Sequence, residues 1–439
     1  MKKWFAMLAL VITVLALTGC GTMTVDQMYS LPKRSTKFNN LQTAIDGAMA
    51  GLEYAAPVSG ENQQTVQMAD LDGDGEDEYL LFARGSGEKP LQILIFGRSG
   101  ERYTLLETIE SLGSAFRLVE YVDMDQKPGV ELIVGRSVSD QVMGAVSVYS
   151  FSGGQAEQLM SVSYHEFVTA DLDGNGLSEL MVITQGAVEG GNAVAFLYSY
   201  HDGAMVRSTE ASLSAPPENI KRIMVSGLSG KIPAVYVASA LQESAIITDV
   251  FALKDDVFTN VSFSNESGTS VQTLRNYYVY ADDIDDDGEL ELPSLMTMTS
   301  SKQRISGTMQ YLIRWYAMTI DGAEVDKMYT FHNYDAGWYI LLESEWAHRI
   351  LVTQDGTTYT FYMWNEDFTD AQKLFTVYSL TGSDREEAAG RDGRFILHRG
   401  DGVIYCAKLE DGFSVYGFTQ ESMINHFRLI QLEWKTGET

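Results

Sequence analysis

The sequence predicts a mainly β chain built as a β-propeller, with a short helix before it and a small α+β domain after it. Three observations carry this: a segment that recurs about every fifty residues, short strand-like runs on both sides of it, and an acidic loop at the same phase of each repeat. The first Asp of the loop stands at positions 70, 123, 171 and 283, in steps of 53, 48 and 112 residues. The last step is twice 56, and a copy stripped of carboxylates occupies the missing place as Gly227-Leu-Ser229-Gly-Lys231. About four strands per fifty-residue unit is the pattern of a propeller blade. Five blades are recognisable, or seven if the C-terminal region supplies two divergent ones.

The N-terminus reads as an address. Lys2 and Lys3 precede an apolar run from Trp4 to Leu17, which is too short to span a bilayer comfortably. It ends in Leu17-Thr18-Gly19-Cys20, which resembles the bacterial lipobox. The resemblance implies that residues 1–19 are a signal peptide, that Cys20 is diacylated, and that the chain is anchored by lipid on the extracytoplasmic face of the cell membrane. No later stretch reaches eighteen apolar residues, so the mature chain is expected not to span. Residues 20–59 then form a tether and a helix. The spacing of Leu41, Ala44, Ile45, Ala48, Met49 and Leu52 predicts that helix, packed on the first blade.

Net charge is −29, and two units more negative once Lys2 and Lys3 are removed. Such a surface repels nucleic acid and anionic lipid headgroups, which excludes both as expected partners. Forty-five per cent hydrophobic residues nonetheless describe a packed globular chain. The two cysteines are Cys20 and Cys406. With Cys20 lipidated, Cys406 has no disulfide partner, and its strand-like surroundings predict a buried small residue rather than a nucleophile.

The loops carry the chemistry. Asp70, Asp72, Asp74 and Glu78 stand at positions 1, 3, 5 and 9, as do Asp171, Asp173, Asn175 and Glu179, and Asp283, Asp285, Asp287 and Glu291. Gly occupies position 6 in all three, where a sharp turn must bring position 9 back to the ion. The position-7 residues Glu76, Leu177 and Glu289 complete the three candidate ligand sets. The copy at Asp123, Asp125 and Glu131 has Lys127 at position 5, placing an ammonium where an ion would sit, and the copy at Gly227 is expected to bind nothing. Asp-Gly sequences also make plain turns. Four carboxylates within nine residues repel one another, however, and a plain turn has no need of that crowding. Hard oxygen ligands with no nearby His favour Ca2+ over zinc or copper. Because sibling units replace the site with Lys or apolar residues, its expected role is turn stabilisation rather than catalysis.

Apolar runs flank each loop. Val66–Met68, Arg117–Val119, Phe167–Val168, Ile223–Val225 and Tyr277–Tyr280 precede the loops, and Tyr79–Phe82, Leu132–Val134, Leu180–Ile183 and Val235–Val237 follow them. Further strands are expected at Leu91–Phe96, Ala145–Phe151 and Ala193–Tyr200. An Asp-x-Asp-Gly-Asp/Asn-Gly-x-x-Glu loop between two strands, repeated at this period over residues 60–332, resembles the FG-GAP or VCBS repeat of bacterial surface proteins. The resemblance implies a propeller carrying a calcium ion on the turn between two strands of a blade. EF-hand loops open with the same residues but need an acid at position 12. Here that position holds Leu81, Val182 and Ser294.

Residues 333–439 lack the loop and hold four of the six Trp: Trp338, Trp346, Trp364 and Trp434. The expected arrangement is the small α+β domain, with two divergent blades as the alternative. The aromatic side chains are expected mainly in the core, with a glycan or peptide groove as the other use. Six scattered histidines fall in no catalytic motif. The leading functional expectation is therefore a lipid-anchored, calcium-stabilised propeller that binds a protein or glycan without catalysis. A carbohydrate-active enzyme using the propeller mouth and a purely structural envelope component are the alternatives.

Overall fold

The computed structural model describes residues 36–100, 102–138, 144–188, 190–241, 245–298, 311–410, 419–432 and 434. The lipobox, Cys20 and the tether lie outside them. The described chain is mainly antiparallel β and divides into two compact units. The first comprises residues up to Ala56 with Gln64–Asp70 and Gly75–Leu112; the second comprises Pro57–Gln63, Leu71–Asp74 and Gly113 onward.

The first unit holds a helix, Thr36–Ala48, which begins before the expected one and stops short of Met49 and Leu52, and the first sheet. That sheet pairs Val66–Ala69 and Glu53–Tyr54 with Glu78–Arg84, which continues through Leu91–Ser99 to Arg102–Ser111. Leu41 and Ile45 on one helix face pack on Tyr79, Leu81, Leu94, Phe96 and Tyr103, the sheet residues that period-2 alternation turns toward the helix.

The second unit holds five further sheets among the described residues. The second sheet is Ala115–Val122, Glu131–Ser137, Gly144–Ser152 and Gln155–Tyr164. The third is Glu166–Ala170, Glu179–Gln185, Ala193–His201 and Ala204–Arg207, with Ala211–Ser212 added beside Ala193–His201. The fourth is Ile220–Leu228, Ile232–Leu241, Ala245–Lys254 and Val257–Asn260. Each runs its main strands in sequence order, so every connection is local. Consecutive sheets share apolar clusters. Val146, Val148, Leu180 and Val182 join the second to the third, and Ile183, Ala195, Val235 and Phe251 join the third to the fourth.

The fifth sheet is Glu291–Thr297, Tyr311–Met318, Glu324–Asn333, Trp338–Leu342 and Phe427–Leu429. The expected boundary at 332/333 thus falls inside a strand, whose Asn333 pairs with Trp338. The sixth sheet is Ile350–Asp355, Thr358–Trp364, Ala371–Thr381, Val403–Leu409 and Phe395–Gly400, in that spatial order. The C-terminal segment is therefore mostly sheet, and its helices are short: Arg385–Ala389 and Gln420–His426. The second of these starts at a capping box in which Ser422 N donates to Thr419 Oγ1 and Thr419 N donates to Ser422 Oγ. Trp338, Trp346, Trp364 and Trp434 are all buried, as is Cys406. Burial raises the Cys406 thiol to about 11, which keeps it protonated and unreactive.

One expected strand is absent. Tyr277–Tyr280 has no ladder, although Val279 and Tyr280 are fully buried. The buried Arg275 guanidinium donates Nε to Val279 O at 2.6 Å, taking a carbonyl that a strand partner would use, and is held by Nη1 donating to Thr273 O at 3.0 Å. Among the described residues no helix is long and apolar enough to cross a membrane.

An aromatic cluster joins the fifth and sixth sheets. Phe331 contacts Trp338, Tyr359 and Phe361, with ring centroids 5.3–5.9 Å apart. Phe331→Ala should lower the unfolding free energy by about 3–5 kcal/mol, read as a lower urea midpoint with unchanged slope.

Candidate metal loops

Each acidic loop is built from its two ends inward. The position-2 residue is apolar and buried in every copy, as Leu71, Met124, Leu172, Leu228 and Ile284, and plugs the loop into the core. Position 9 opens the following strand, so Glu131, Glu179 and Glu291 are drawn inside with their backbone. The two ends are then tied together. Met124 N donates to Glu131 Oε2 at 2.8 Å, Leu172 N to Glu179 Oε2 at 2.8 Å, and Ile284 N to Glu291 Oε2 at 3.1 Å.

Between the ends the backbone curls around the position-1 Asp. In the third loop Asp171 accepts Gly174 N at 2.8 Å and Asn175 N at 3.1 Å on Oδ1, and Gly176 N at 2.9 Å on Oδ2. In the fifth, Asp287 N and Gly288 N donate to the two oxygens of Asp283 at 2.9 and 2.8 Å. Position 6 is left-handed, with φ of 87° at Gly75, 89° at Gly176 and 88° at Gly288. Position 4 is left-handed as well, and there Gln126 and Asp286 adopt a φ of 61° without the freedom of glycine.

The candidate ligands converge in part. Asp123, Asp125 and Glu131 each offer an oxygen within 4.8 Å of the other two, and so do Asp171, Asp173 and Glu179, and Asp283, Asp285 and Glu291. Asn175 turns its amide inward, Nδ2 donating to Asp173 Oδ2 at 2.8 Å while Oδ1 accepts Leu177 N at 2.7 Å. The first loop is divided between the two compact units, and each part keeps its own contacts. Gly75 N donates to Asp70 Oδ2 at 3.0 Å, and Asp74 N to Asp72 Oδ1 at 3.3 Å. Glu78 is buried, whereas the exposed Glu76 pairs with Arg98 Nη1 at 2.8 Å.

Two lysines enter the loops. Lys127 Nζ lies 2.6 Å from Asp125 Oδ2 and donates to Tyr200 Oη at 2.8 Å, and both contacts raise its pKa. Asp125 has a side chain only 1% exposed, so this ammonium neutralises a buried carboxylate. Lys327, forty residues beyond the fifth loop, reaches Asp287 Oδ2 at 2.5 Å and Glu289 Oε2 at 2.7 Å. Asp287, Glu289 and Glu291 each offer an oxygen within 4.8 Å of the other two, and Glu289 also reaches the vestigial turn, its Oε1 accepting Gly230 N at 2.7 Å. That turn has tightened to a hairpin in which Leu228 pairs with Ile232. Neither Lys327 nor Tyr200 is marked in sequence, since each is dozens of residues from the loop it serves.

The charge balance remains incomplete in the fifth loop. Glu291 is 0% exposed, and its Oε1 has no hydrogen-bond partner; the same holds for Asp285 Oδ1. Burial raises Glu291 to about 8, against the opposing Ile284 N–H and with support from Asp285 and Asp287. Burial likewise raises Glu179 to about 7, against the Leu172 N–H and with support from Asp173 and Asp171. Carboxylates this buried require a cation or a proton. Hard oxygen donors of this kind suit Ca2+.

No protein-family profile matches the chain, and neither does any curated protein. Solved structures to which it is similar include an exotype rhamnogalacturonan lyase (13% identity, 74% of this chain and 63% of that one, TM-score 0.26). Others are the Bacillus licheniformis rhamnogalacturonan lyase (12%, 73% and 72%, 0.28) and a 6-phosphogluconolactonase-like protein from Bacteroides uniformis (11%, 69% and 82%, 0.26). The chain therefore spans less than two thirds of the first of these.

Two predictions follow from the charges. Lys127→Met leaves Asp125 unpaired and should cost about 1–3 kcal/mol in urea unfolding at neutral pH. The second concerns pH. A carboxyl whose folded pKa stands above its unfolded value binds its proton more tightly when folded, so stability is full below about 4.5 and falls as pH rises through 7–8. In chelator the melting temperature should drop from pH 5.5 to pH 8.5, and Glu179→Gln should shrink that drop.

Proposed function

We propose that the chain is a β-propeller whose acidic loops take up calcium to hold the strand pairs of its blades, and that it is a non-catalytic binding module displayed at the bacterial envelope by a lipid on Cys20. The observation that carries the reading is the pair of buried, unpartnered oxygens, Asp285 Oδ1 and Glu291 Oε1, within a group of three carboxylates. Consecutive sheets of sequential strands packed face to face support the propeller.

Asp171, Asp173 and Glu179, and Asp283, Asp285 and Glu291, would hold the ions, with the loop at Asp70, Asp72, Asp74 and Glu78 sharing their composition. Calcium supplies positive charge to carboxylates that are otherwise buried against one another. The second loop obtains that charge from Lys127, and the outer acids of the fifth obtain it from Lys327. Catalysis is not the use these acids suggest. Glu179 and Glu291 are each spent on the backbone N–H of their own loop, and each loop forms a separate small cluster.

Extracellular calcium modules often bind with dissociation constants of about 10⁻⁴–10⁻³ M, and tenfold saturation then contributes about 1.4 kcal/mol per site. Calcium should therefore raise the melting temperature by several degrees over chelator, with magnesium giving a smaller rise. Asp171→Ala and Glu291→Gln should each remove part of the increment. An identical melt in calcium and chelator would exclude the calcium reading.

A further inference from the structure

Between the fifth and sixth sheets lies a cavity of about 410 Å³, unconnected with the acidic loops. Its size is within the roughly 300–1,000 Å³ of small-molecule sites. Asn333, which ends the strand Glu324–Asn333, is among the residues that line the cavity. Asn333 is 3% exposed; Oδ1 accepts Ala336 N at 3.1 Å, which fixes the amide and leaves Nδ2 without a partner. Leaving such a buried donor unmet costs about 1–3 kcal/mol.

The walls are equally fixed. Tyr405 Oη donates to Ala336 O at 2.6 Å, and the Tyr359 ring stands edge-on to Trp338 at 5.6 Å. Burial, with Asp335 nearby, raises the Tyr359 phenol above its ordinary value, so it stays a neutral donor. Asp335, Gln354 and Thr357 form an exposed polar rim. No described residue lining the cavity is Lys, Arg or His.

We propose that this cavity binds one unit of a neutral saccharide. Amide, carboxylate and hydroxyl groups around the rings of Tyr359 and Tyr405 match a ligand with hydroxyls on its edge and C–H groups on its faces. The single charge at the rim is Asp335, and the chain as a whole is strongly acidic, so phosphorylated or uronic-acid units are disfavoured. The assignment deepens the reading of the chain as a binding module and rests on it.

The test uses the full chain in calcium buffer on an array of neutral and uronic-acid oligosaccharides, with titration calorimetry of any retained neutral glycan. The double variant Gln354→Ala/Thr357→Ala alters only exposed rim positions, and its melting temperature should match that of the parent. A neutral oligosaccharide should bind, with affinity at least tenfold lower in the double variant, and uronic-acid oligosaccharides should not. Equal binding by parent and variant overturns the cavity assignment while leaving a binding module. Retention of uronic-acid oligosaccharides alone, or of no saccharide, also overturns the proposal. Retention by envelope proteins in the same buffer then decides separately whether the chain is a binding module.

Discussion

A glutamate at the first position of a buried strand is the constraint on which the repeat turns. Glu131, Glu179 and Glu291 are carried inside because the strand behind them belongs to the core, and each is held by the N–H of the loop's second residue. That bond closes the loop and sets the register between the strands on either side. It also places a carboxylate in a poorly hydrated site beside two aspartates, which is tolerable only if positive charge or a proton joins it. The surrounding loop is organised around meeting that demand.

The copies meet it differently. The second has a lysine of its own sequence, Lys127, steadied by Tyr200 from the neighbouring sheet. The fifth borrows Lys327 for Asp287 and Glu289, yet leaves Asp285 and Glu291 with unpartnered oxygens. The fourth removes the problem by having no acids, and its Gly230-Lys231 turn is short enough to pair strands directly. Neighbouring loops also lean on one another. Ser178 N donates to Asp123 O at 2.8 Å and Leu290 N to Gly227 O at 3.1 Å. A Cβ on Gly129 would meet Leu71 O at 2.2 Å, so a glycine is required where the first loop's backbone approaches.

Much of this was legible in the sequence because it is local and repeated. The period, the loop and most flanking strands appear as runs such as Leu180–Ile183 and Ala193–Tyr200, whose alternation and turn residues need no tertiary partner to be recognised. The failures are all non-local. Tyr277–Tyr280 has strand-like composition but gives its Val279 carbonyl to Arg275, whose burial no local pattern announces. The C-terminal strand runs Trp338–Leu342, Tyr359–Trp364, Leu374–Tyr378 and Val403–Tyr405 are legible by composition, but without the loop that marks the phase the pairing of Asn333 with Trp338 across the expected boundary is not. Lys327 reaches the fifth loop only through the pairing of two later strands, Tyr311–Met318 and Glu324–Asn333. Asn333 likewise acquires interest from where its amide is left, not from its neighbours in the chain.

The central claim is that calcium completes the charge of loops already shaped by their glutamates, and amide hydrogen exchange at Leu172 and Ile284 tests it most directly. Both N–H groups donate to the carboxylate that the ion would neutralise. The account predicts strong protection of both in calcium and at least tenfold faster exchange in chelator, while Met124, in the loop that carries its own lysine, changes little. Equal protection of all three with and without calcium would contradict it.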